Sequence, residues 1–363
     1  AMVQIDGRLQ AGSGRIRIAA AGEIRTATYI KALGGDAASD SPVILTADTR
    51  ADTRRESGAP GSVLFRQTVA GSGALSVFTG SGHVRFDGAV GTAGAYPSGL
   101  EIDASDITLA SAVLINGPIS LVARGIVLLG PTLDAVGPGD IQIRVPAHLT
   151  IPSIRTADGK IEVQAGGTIT VREAVSSAGS DANRIRLESI GGNILLGAVD
   201  GGASGTVAIE SPAGAVVDDS QGETFNIRGA RLTLKALAAG VSPGTDDLDL
   251  AVGRIDVVTT GATGHVALSQ TAVAGPLTVE RVHVQGASNS GGVYLVVEGG
   301  ALRVAQDGSG VRVEGCGNVL LEAKGAASDL VLNKDLILAG GSVSLQAGRH
   351  LVLGPAARAS VAA

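Results

Sequence analysis

Metal binding is the first chemistry to look for in this sequence, because it needs particular side chains at particular spacings. The chain has one cysteine, Cys316, and five histidines. The histidines are His83, His148, His265, His283 and His350. Zinc sites use Cys and His ligands in closely spaced pairs, so this scatter predicts no zinc site. Cys316 has no cysteine to pair with and is predicted to be an ordinary residue, either packed or, like the histidines, at a surface or turn position.

Carboxylates near residue 246 are better candidates for holding an ion, because calcium prefers oxygen ligands. Asp246, Asp247 and Asp249 lie close together in one short stretch, and Asp218 and Asp219 precede them in the sequence. Their spacing matches neither the EF-hand loop nor the calcium-binding nonapeptide repeat. We therefore predict a solvated acidic loop and no cofactor, with Asp246, Asp247 and Asp249 as calcium ligands in the alternative interpretation.

Catalysis would need an activated nucleophile or a pair of acids, and the sequence offers one formal match. Residues 240–244 fit the G-x-S-x-G pattern, with Ser242 at the centre. A serine of that class needs a strand before it and a helix after it, whereas an acidic, turn-forming stretch follows here. The Gly-x-Gly pairs of the chain lack the third glycine of a dinucleotide site. We expect no catalytic residue and no bound nucleotide, and the chain is predicted not to be an enzyme.

The composition excludes further classes of function. Among 363 residues there are 28 basic and 34 acidic ones, and a net charge of −6 offers nothing to attract a nucleic acid. The apolar runs are too short to span a bilayer, so no membrane insertion is expected. Aromatic residues are few and mostly occupy strand positions, so we expect them to fill the core. They are Tyr29, Phe65, Phe78, Phe86, Tyr96, Phe225 and Tyr294.

The elements that must carry all these residues are pairs of short strands. Residues 161–165 read Ile-Glu-Val-Gln-Ala, and after two glycines and a threonine the chain continues with Ile-Thr-Val at 169–171. Alternation of apolar and polar residues is typical of a strand with one buried face. Successive pairs begin at residues 119, 141, 161, 185 and 207, so the repeat is short and nearly regular. No stretch shows the apolar stripe of a helix, so helical solenoids are excluded.

A strand repeat of this length predicts an all-β fold, a parallel β-helix with about 20–25 residues per coil. Because the composition is uniform, we expect one continuous β-helix over residues 1–363, with irregular loops near 48–61 and 218–249. Alternation also predicts which side chains face inward. They include Val163, Leu187, Leu196, Leu321 and Leu345, whereas Glu162, Arg186 and Gln346 are expected to face solvent.

The doublet at 161–171 resembles the repeats of filamentous haemagglutinin-like, two-partner-secreted exoproteins and related giant bacterial adhesins. Residues 238–250 and 259–264 are also similar to coils of those proteins. The resemblance covers most of the chain from about Leu100 onward, and more loosely the first hundred residues. The amino-terminal secretion domain typical of the family is not recognisable here, so the resemblance indicates either an excised shaft segment or a different secretion route.

This resemblance implies a right-handed parallel β-helix, exported by bacteria and either secreted or held at the cell surface. The expected function is that of a structural shaft, which presents a binding tip or mediates cell–cell and biofilm cohesion. Its expected partners are neighbouring segments of the same giant protein and a glycan or protein of a host or bacterial surface. The alternative is a carbohydrate-binding or polysaccharide-degrading β-helix protein, because pectin-degrading enzymes share the fold and a fold does not decide function.

Overall fold

Short parallel strands form almost all of the regular structure. The computed structural model describes residues 2–11, 14–20, 22–54, 60–125, 127–177, 183–219, 225–242, 246–261, 264–286, 290–355 and 357–362. These residues form 40 strands and a single 3-10 helix at Ala272–Ala274. They group into two compact units, Ala1–Ala165 and Gly166–Ala363. The expectation of one continuous β-helix over 1–363 stays a prediction.

The first unit contains 21 strands. They are β1 (Val3–Ile5), β2 (Leu9–Ala11), β3 (Ile16–Ile18), β4 (Ile24–Thr26), β5 (Tyr29–Ala32), β6 (Ala37–Ser39), β7 (Val43–Leu45), β8 (Thr49–Asp52), β9 (Val63–Phe65), β10 (Val69–Gly71), β11 (Leu75–Phe78), β12 (His83–Phe86), β13 (Leu100–Ala104), β14 (Asp106–Leu109), β15 (Val113–Ile115), β16 (Ile119–Ala123), β17 (Val127–Leu128), β18 (Leu133–Pro138), β19 (Ile141–Val145), β20 (Leu149–Asp158) and β21 (Ile161–Ala165).

The second unit contains the other 19 strands. They are β22 (Ile169–Ser177), β23 (Arg184–Ser189), β24 (Ile194–Asp200), β25 (Thr206–Ser211), β26 (Ala215–Asp218), β27 (Ile227–Ala236), β28 (Gly240–Val241), β29 (Leu248–Thr259), β30 (His265–Gln270), β31 (Leu277–Val284), β32 (Val293–Val297), β33 (Leu302–Val304), β34 (Gly310–Val313), β35 (Val319–Ala323), β36 (Leu330–Leu332), β37 (Leu336–Leu338), β38 (Val343–Ala347), β39 (Leu351–Leu353) and β40 (Ala359–Val361).

Each strand pairs in parallel with the equivalent strand of the next coil. In the first unit Ile119 pairs with Ile141, and Ile141 pairs with Ile161. In the second unit Ile185 pairs with Val207, and Val207 pairs with Leu232. Both units are therefore parallel β-solenoids, and together they contain about 14 turns, which confirms the predicted fold class. No helix among the described residues is long and apolar enough to cross a membrane.

The length of a coil varies more than the regular doublets suggest. A short coil brings Ile24 beside Val43. A coil about half as long again brings Val282 beside Val311. The inward-facing pattern tolerates this range because extra residues enter the turns or form local bulges, as between Ile255 and Asp256 in the pairing of β29 with β31.

The core is a set of aliphatic ladders that run from coil to coil. Val163, Leu187, Leu196 and Leu321 are at most 2% exposed, as predicted. Leu345 pairs with Leu321 and has the same inward register, but it is half-exposed. The reason is that β38 pairs with β35 on one side, and no described strand pairs with its other side.

Many glycines are required because neighbouring coils approach closely at the turns. A Cβ atom at Gly35 would lie 1.9 Å from the carbonyl oxygen of Gly14. A Cβ at Gly61 would lie 1.8 Å from the carbonyl oxygen of Gly35, and one at Gly82 would lie 2.1 Å from that of Gly61. Any side chain at this corner would collide with the backbone of the coil beside it, so glycine recurs there in successive coils.

Both stretches predicted to be loops contain strands. Residues 48–61 include β8, in which Thr49 and Ala51 face inward and are at most 4% exposed. Residues 218–249 include β27, which pairs with β25 and with β29 over most of its length. The sequence Thr-Arg-Ala-Asp concealed β8 because its inward residues are small and its outward residues are charged. Residues 55–59, 220–224 and 243–245 lie outside the described part of the chain.

Candidate functional surfaces

Two surfaces stand out on the outward faces of the strands, one in each unit. The first, the arginine–aromatic cluster, is formed by Arg8, Tyr29, Arg50, Asp52, Arg54 and Phe78. Strand register positions it, because Tyr29 pairs with Arg50 and Asp52 pairs with Phe78 in the adjacent coil. Alternation then turns all four side chains away from the aliphatic core.

Asp52 is the centre of the arginine–aromatic cluster. Arg54 donates from Nε to Asp52 Oδ1 at 3.0 Å and from Nη2 to Oδ2 at 2.8 Å. Arg50 Nη2 donates to Oδ2 at 3.0 Å, and the Tyr29 hydroxyl donates to the same oxygen at 3.3 Å. These groups cover the carboxylate, so Asp52 is only 5% exposed although it faces outward.

The aromatic rings of the cluster are covered by the same guanidinium groups. The Arg50 and Arg54 guanidinium carbons lie 4.4 and 4.7 Å from the centre of the Phe78 ring. Arg8 and Arg50 lie 5.4 and 5.7 Å from the centre of the Tyr29 ring. Both rings therefore make cation–π contacts with protein groups.

Hydrogen bonding decides the charge state of the cluster. Burial by itself would raise the pKa of Asp52, but the bonds from Arg54 and Arg50 outweigh it and lower that pKa to about 2. The bond to Asp52 in turn raises the pKa of Arg54. A short charged strand thus neutralises much of its own charge, and the cluster holds the chain in place where it leaves β8.

The second surface, the uncharged groove, lies on the outward face of β30, β32, β35 and β38. We define it by Tyr294, Leu320, Ser344 and Gln346 on the strands and by His265 and Asn318 beside them. Tyr294 pairs with Leu320, and Leu320 pairs with Ser344, so the three residues form one outward ladder. None of the described residues that line the groove is Asp, Glu, Lys or Arg.

The polar groups of the uncharged groove are only partly used by the protein. Asn318 Oδ1 accepts from the backbone N–H of Ser342 at 2.9 Å, and Gln346 Nε2 donates to Ser344 Oγ at 3.3 Å. Tyr294 is 48% exposed and Leu320 is half-buried. Burial lowers the pKa of His265, so its imidazole is neutral near pH 7. The groove is a shallow surface of one ring, one aliphatic side chain and several neutral hydrogen-bonding groups.

Elsewhere on the second unit the outward faces carry paired charges. Glu280 accepts from Arg231 at 2.6 Å and from Arg254 at 3.3 Å. Arg281 makes two bonds to Asp256, at 2.6 and 2.9 Å. These pairs join strands of different coils. The lining of the uncharged groove has no such pair, and the charge next to it in the register is Glu322, which pairs with Gln346.

A fully buried amide links the region of the candidate calcium ligands. Asn226 Nδ2 donates to Asp218 Oδ1 at 2.8 Å and to the carbonyl oxygen of Gly197 at 3.2 Å. Asn226 Oδ1 accepts from the backbone N–H of Asp249 at 2.7 Å. One side chain therefore bonds to the chain at three separated positions. Sequence reasoning missed this role, because the backbone partners lie 23 and 29 residues away and only the stacking of coils brings them to Asn226.

The structure does not gather the predicted calcium candidates into a metal site within its described part. Asp246 is exposed, and Asp247 and Asp249 are half-buried. Among the described residues, no group of three or more His, Cys, Asp or Glu side chains is arranged to hold a metal ion. The expectation of a chain without a cofactor stays a prediction.

Ser242, the centre of the G-x-S-x-G match, has an unusual backbone. Among the described residues other than glycine, Ser242 is the one with a positive φ, which is 43°. The residue is 1% exposed. Its Oγ is buried and has no hydrogen-bond partner among the described residues. Among the described residues, no side chain that could act as a general base is hydrogen-bonded to this hydroxyl. Residues 243–245, which complete the pattern, lie outside the described residues.

The predictions for the other singled-out residues had mixed outcomes. Phe65 and Phe86 are buried in the core and stack with ring centres 4.7 Å apart, as predicted. The prediction was wrong for Tyr29, Phe78 and Tyr294, which occupy outward strand positions. Strand parity would have shown this, because their neighbours on either side are the inward residues.

Cys316 and the histidines also differ in surroundings. Cys316 is exposed, so of the two ordinary roles expected for it the surface position is confirmed and the packing role was wrong. His283 Nε2 lies 3.0 Å from Glu314 Oε1, and Gln285 Nε2 lies 3.2 Å from His283 Nδ1. A backbone hydrogen bond from Gly286, followed by the bond with His283, lowers the pKa of Glu314. His83 Nδ1 pairs similarly with Asp106 Oδ2 at 2.7 Å.

Comparison with known proteins adds no assignment. No protein-family model, no curated protein and no solved structure matches the chain. The features that indicate a function are therefore the parallel β-solenoid and the two surfaces on the outward faces of its strands.

Proposed function

We propose that this chain is a shaft segment of a large bacterial adhesin, secreted or held at the cell surface. The observation that carries the proposal is the pairing of each strand with the equivalent strand one coil away, as in Val293, Val319 and Val343. Contacts of this kind make stability a sum of local terms, so length can be extended by adding coils. A shaft needs that property, and it needs no reacting groups.

Side-chain contacts support the same role because they also join neighbouring coils. The buried Gln270 amide accepts from the backbone N–H of Val252 at 3.3 Å and donates to its carbonyl oxygen at 2.7 Å. On the outer surface Lys324 donates to Glu298 at 2.7 Å across one coil. Interior and exterior contacts therefore both resist the separation of coils.

The filamentous haemagglutinin-like identity is part of this proposal and is supported by the doublets at 161–171 and 185–196. Under it the segment works with neighbouring segments of the same polypeptide to hold cells together, in biofilms or against a host surface. It acts without a cofactor and is not an enzyme.

The test uses cells that express the native gene. An antibody raised against this chain is expected to label intact cells and to detect a polypeptide far larger than the 35.8 kDa of the chain. In-frame removal of two coils is expected to preserve surface display and to reduce cell–cell cohesion. Confinement of the antigen to the cytoplasm, or cohesion unchanged by loss of the whole segment, would contradict the proposal.

A further inference from the structure

We propose that the uncharged groove binds a neutral saccharide chain, with the Tyr294 ring against one face of a sugar. This inference does not rest on the shaft function, since a shaft segment with no ligand would be equally stable. It goes beyond that function because it assigns a ligand class to a particular place on the second unit.

The charges around the groove restrict the class of ligand that it can bind. The described outward residues around Glu280 and Asp256 are paired ions, whereas the groove is lined without Asp, Glu, Lys or Arg. Two charged residues flank the lining: Glu322, which pairs with Gln346, and Lys324, whose charge interacts with Tyr294. These two charges also interact with each other, and Lys324 is already bonded to Glu298 at 2.7 Å. An anionic or cationic ligand would lose hydration in the groove, and the charges that flank it already interact with each other or with Glu298. A neutral ligand with many hydroxyl groups loses less, because hydroxyl, amide and imidazole groups can replace its water.

The exposed ring of Tyr294 offers a surface for one face of a sugar. Tyr294 is 48% exposed on the outward face of a parallel sheet, and Leu320 lies beside it in the next coil. Binding sites for small ligands combine such apolar and aromatic surface with a few polar groups that fix orientation. A tyrosine supplies both, since its ring is apolar and its hydroxyl is polar. The Tyr294 hydroxyl has no hydrogen-bond partner among the described residues, so it is available to a ligand.

Polar groups of the groove recur from one coil to the next. Asn318 and Ser344 belong to neighbouring coils, and strands of neighbouring coils lie about 4.8 Å apart. That spacing is close to the length of one pyranose unit in an extended chain. Asn318 Nδ2, Ser342 Oγ and Gln346 Oε1 make no hydrogen bond with other described residues, so successive sugars would meet successive polar groups. A protein partner would require a larger interface than this shallow groove offers.

Tyrosine fluorescence provides a direct measurement, because the chain has no Trp and three Tyr. The variant Tyr29→Phe/Tyr96→Phe leaves Tyr294 as the only tyrosine. It is titrated with neutral gluco-, manno- and galacto-hexasaccharides and with an anionic galacturonate hexasaccharide. We expect at least one neutral hexasaccharide to change the Tyr294 emission with a Kd below about 1 mM, a free energy of about −4 kcal/mol. Binding should be independent of salt between about 0.05 and 0.5 M, as no charges are paired.

Variants in the otherwise unmodified chain, measured by calorimetry, test the assignment of residues. Tyr294→Ala is expected to weaken binding at least tenfold, and Tyr294→Phe at most about threefold. Gln346→Ala should weaken it severalfold, and Tyr29→Ala, in the other unit, should have no effect. Circular dichroism confirms that each variant is folded. Failure of every neutral hexasaccharide to bind would overturn the proposal, as would equal binding of the anionic one or binding that survives Tyr294→Ala.

Discussion

The arginine–aromatic cluster and the uncharged groove are both centred on an outward-facing tyrosine, yet they treat their polar groups in opposite ways. Around Tyr29, Arg50 and Arg54 both bond to the Asp52 carboxylate, which is almost inaccessible as a result. Around Tyr294 there are no charges among the described lining residues, and several amide and hydroxyl groups remain open to solvent. The same strand geometry thus yields one surface that is closed and one that is available.

The difference follows from which outward residues the register brings together. In the first unit Arg50 and Asp52 lie on one strand, and Phe78 of the next coil lies directly beside Asp52. Oppositely charged groups at that distance pair with each other, and a ring beside them attracts the guanidinium. In the second unit Tyr294 meets Leu320 and then Ser344. Nothing in that ladder competes with a ligand for the ring.

The largest loss of stability is expected when a buried amide is removed, and removal of an exposed amide provides the comparison. Asn226→Ala removes a fully buried side chain that bonds to Asp218, Gly197 and Asp249. Because three groups each lose a hydrogen bond where water can replace it only in part, the free energy of unfolding should fall by about 2–4 kcal/mol. The matched variant Asn318→Ala removes an exposed amide of the groove, and it should cost less than about 1 kcal/mol. Urea denaturation followed by circular dichroism measures both.

Equal costs for the two asparagine variants would break the comparison. That result would mean that the amide of the groove is as firmly integrated as the buried one. The saccharide proposal would then lose the polar groups on which it depends.

The next effect concerns the carboxylate at the centre of the cluster. Asp52→Asn leaves Arg50 and Arg54 without their acceptor charge, and both can regain water because their side chains are 45% and 42% exposed. We therefore expect a loss of about 1–3 kcal/mol, below the cost of breaking a fully buried pair. The control Glu298→Gln breaks the exposed pair with Lys324 and should shift the unfolding midpoint much less.

The contribution of Asp52 should also depend on pH. Its pKa is about 2 in the folded protein, against about 3.9 in an unfolded chain, so the charged form favours folding. The stabilisation is complete above about pH 4 and disappears as the pH falls towards 2. The difference in unfolding midpoint between the wild type and Asp52→Asn should shrink over that window. A difference that stays constant down to pH 2 would show that the charge of Asp52 is not what stabilises the cluster.

Much of this architecture could be predicted from the sequence, because alternation and repeat length are local properties. The strands at 119, 141 and 161 were placed from a few alternating residues each, and the structure pairs them in that order. The arginine–aromatic cluster could not be predicted in the same way. Its contacts depend on the register of coils that differ in length, since the coil from Val43 to Val69 is longer than the coil from Ile24 to Val43. Sequence spacing alone does not fix which outward residues become neighbours.

The two tyrosines offer a smaller but more direct comparison. Tyr29→Ala removes a ring that lies under Arg8 and Arg50 and a hydroxyl that bonds to Asp52. It should reduce the free energy of unfolding by about 1–2 kcal/mol. Tyr294→Ala removes a ring that the protein itself uses little, and the loss should be below about 0.5 kcal/mol. Thermal and urea unfolding of the two variants at pH 7 would measure the difference, and a larger cost at Tyr294 would reverse the comparison.

The smallest effect isolates the contact between one guanidinium and one ring. Arg50 lies 4.4 Å from the centre of the Phe78 ring, but it also bonds to Asp52, so a single variant such as Arg50→Met mixes two losses. A double-mutant cycle with Phe78→Leu removes the shared part and leaves the coupling between the two side chains. Because Phe78 is half-buried and Arg50 is still partly hydrated, we expect a coupling of about 0.5–1 kcal/mol.

The control for that cycle pairs Phe78→Leu with Arg25→Met, whose guanidinium bonds to Glu23 and does not contact the ring. Those two changes should be additive within about 0.3 kcal/mol. If the Arg50–Phe78 pair proved equally additive, the ring would be a bystander and Asp52 alone would account for the order of the cluster. The Phe78 ring would still lie under Arg54, whose guanidinium carbon is 4.7 Å from its centre, and the distinction between a closed and an available aromatic surface would rest on that contact and on the carboxylate.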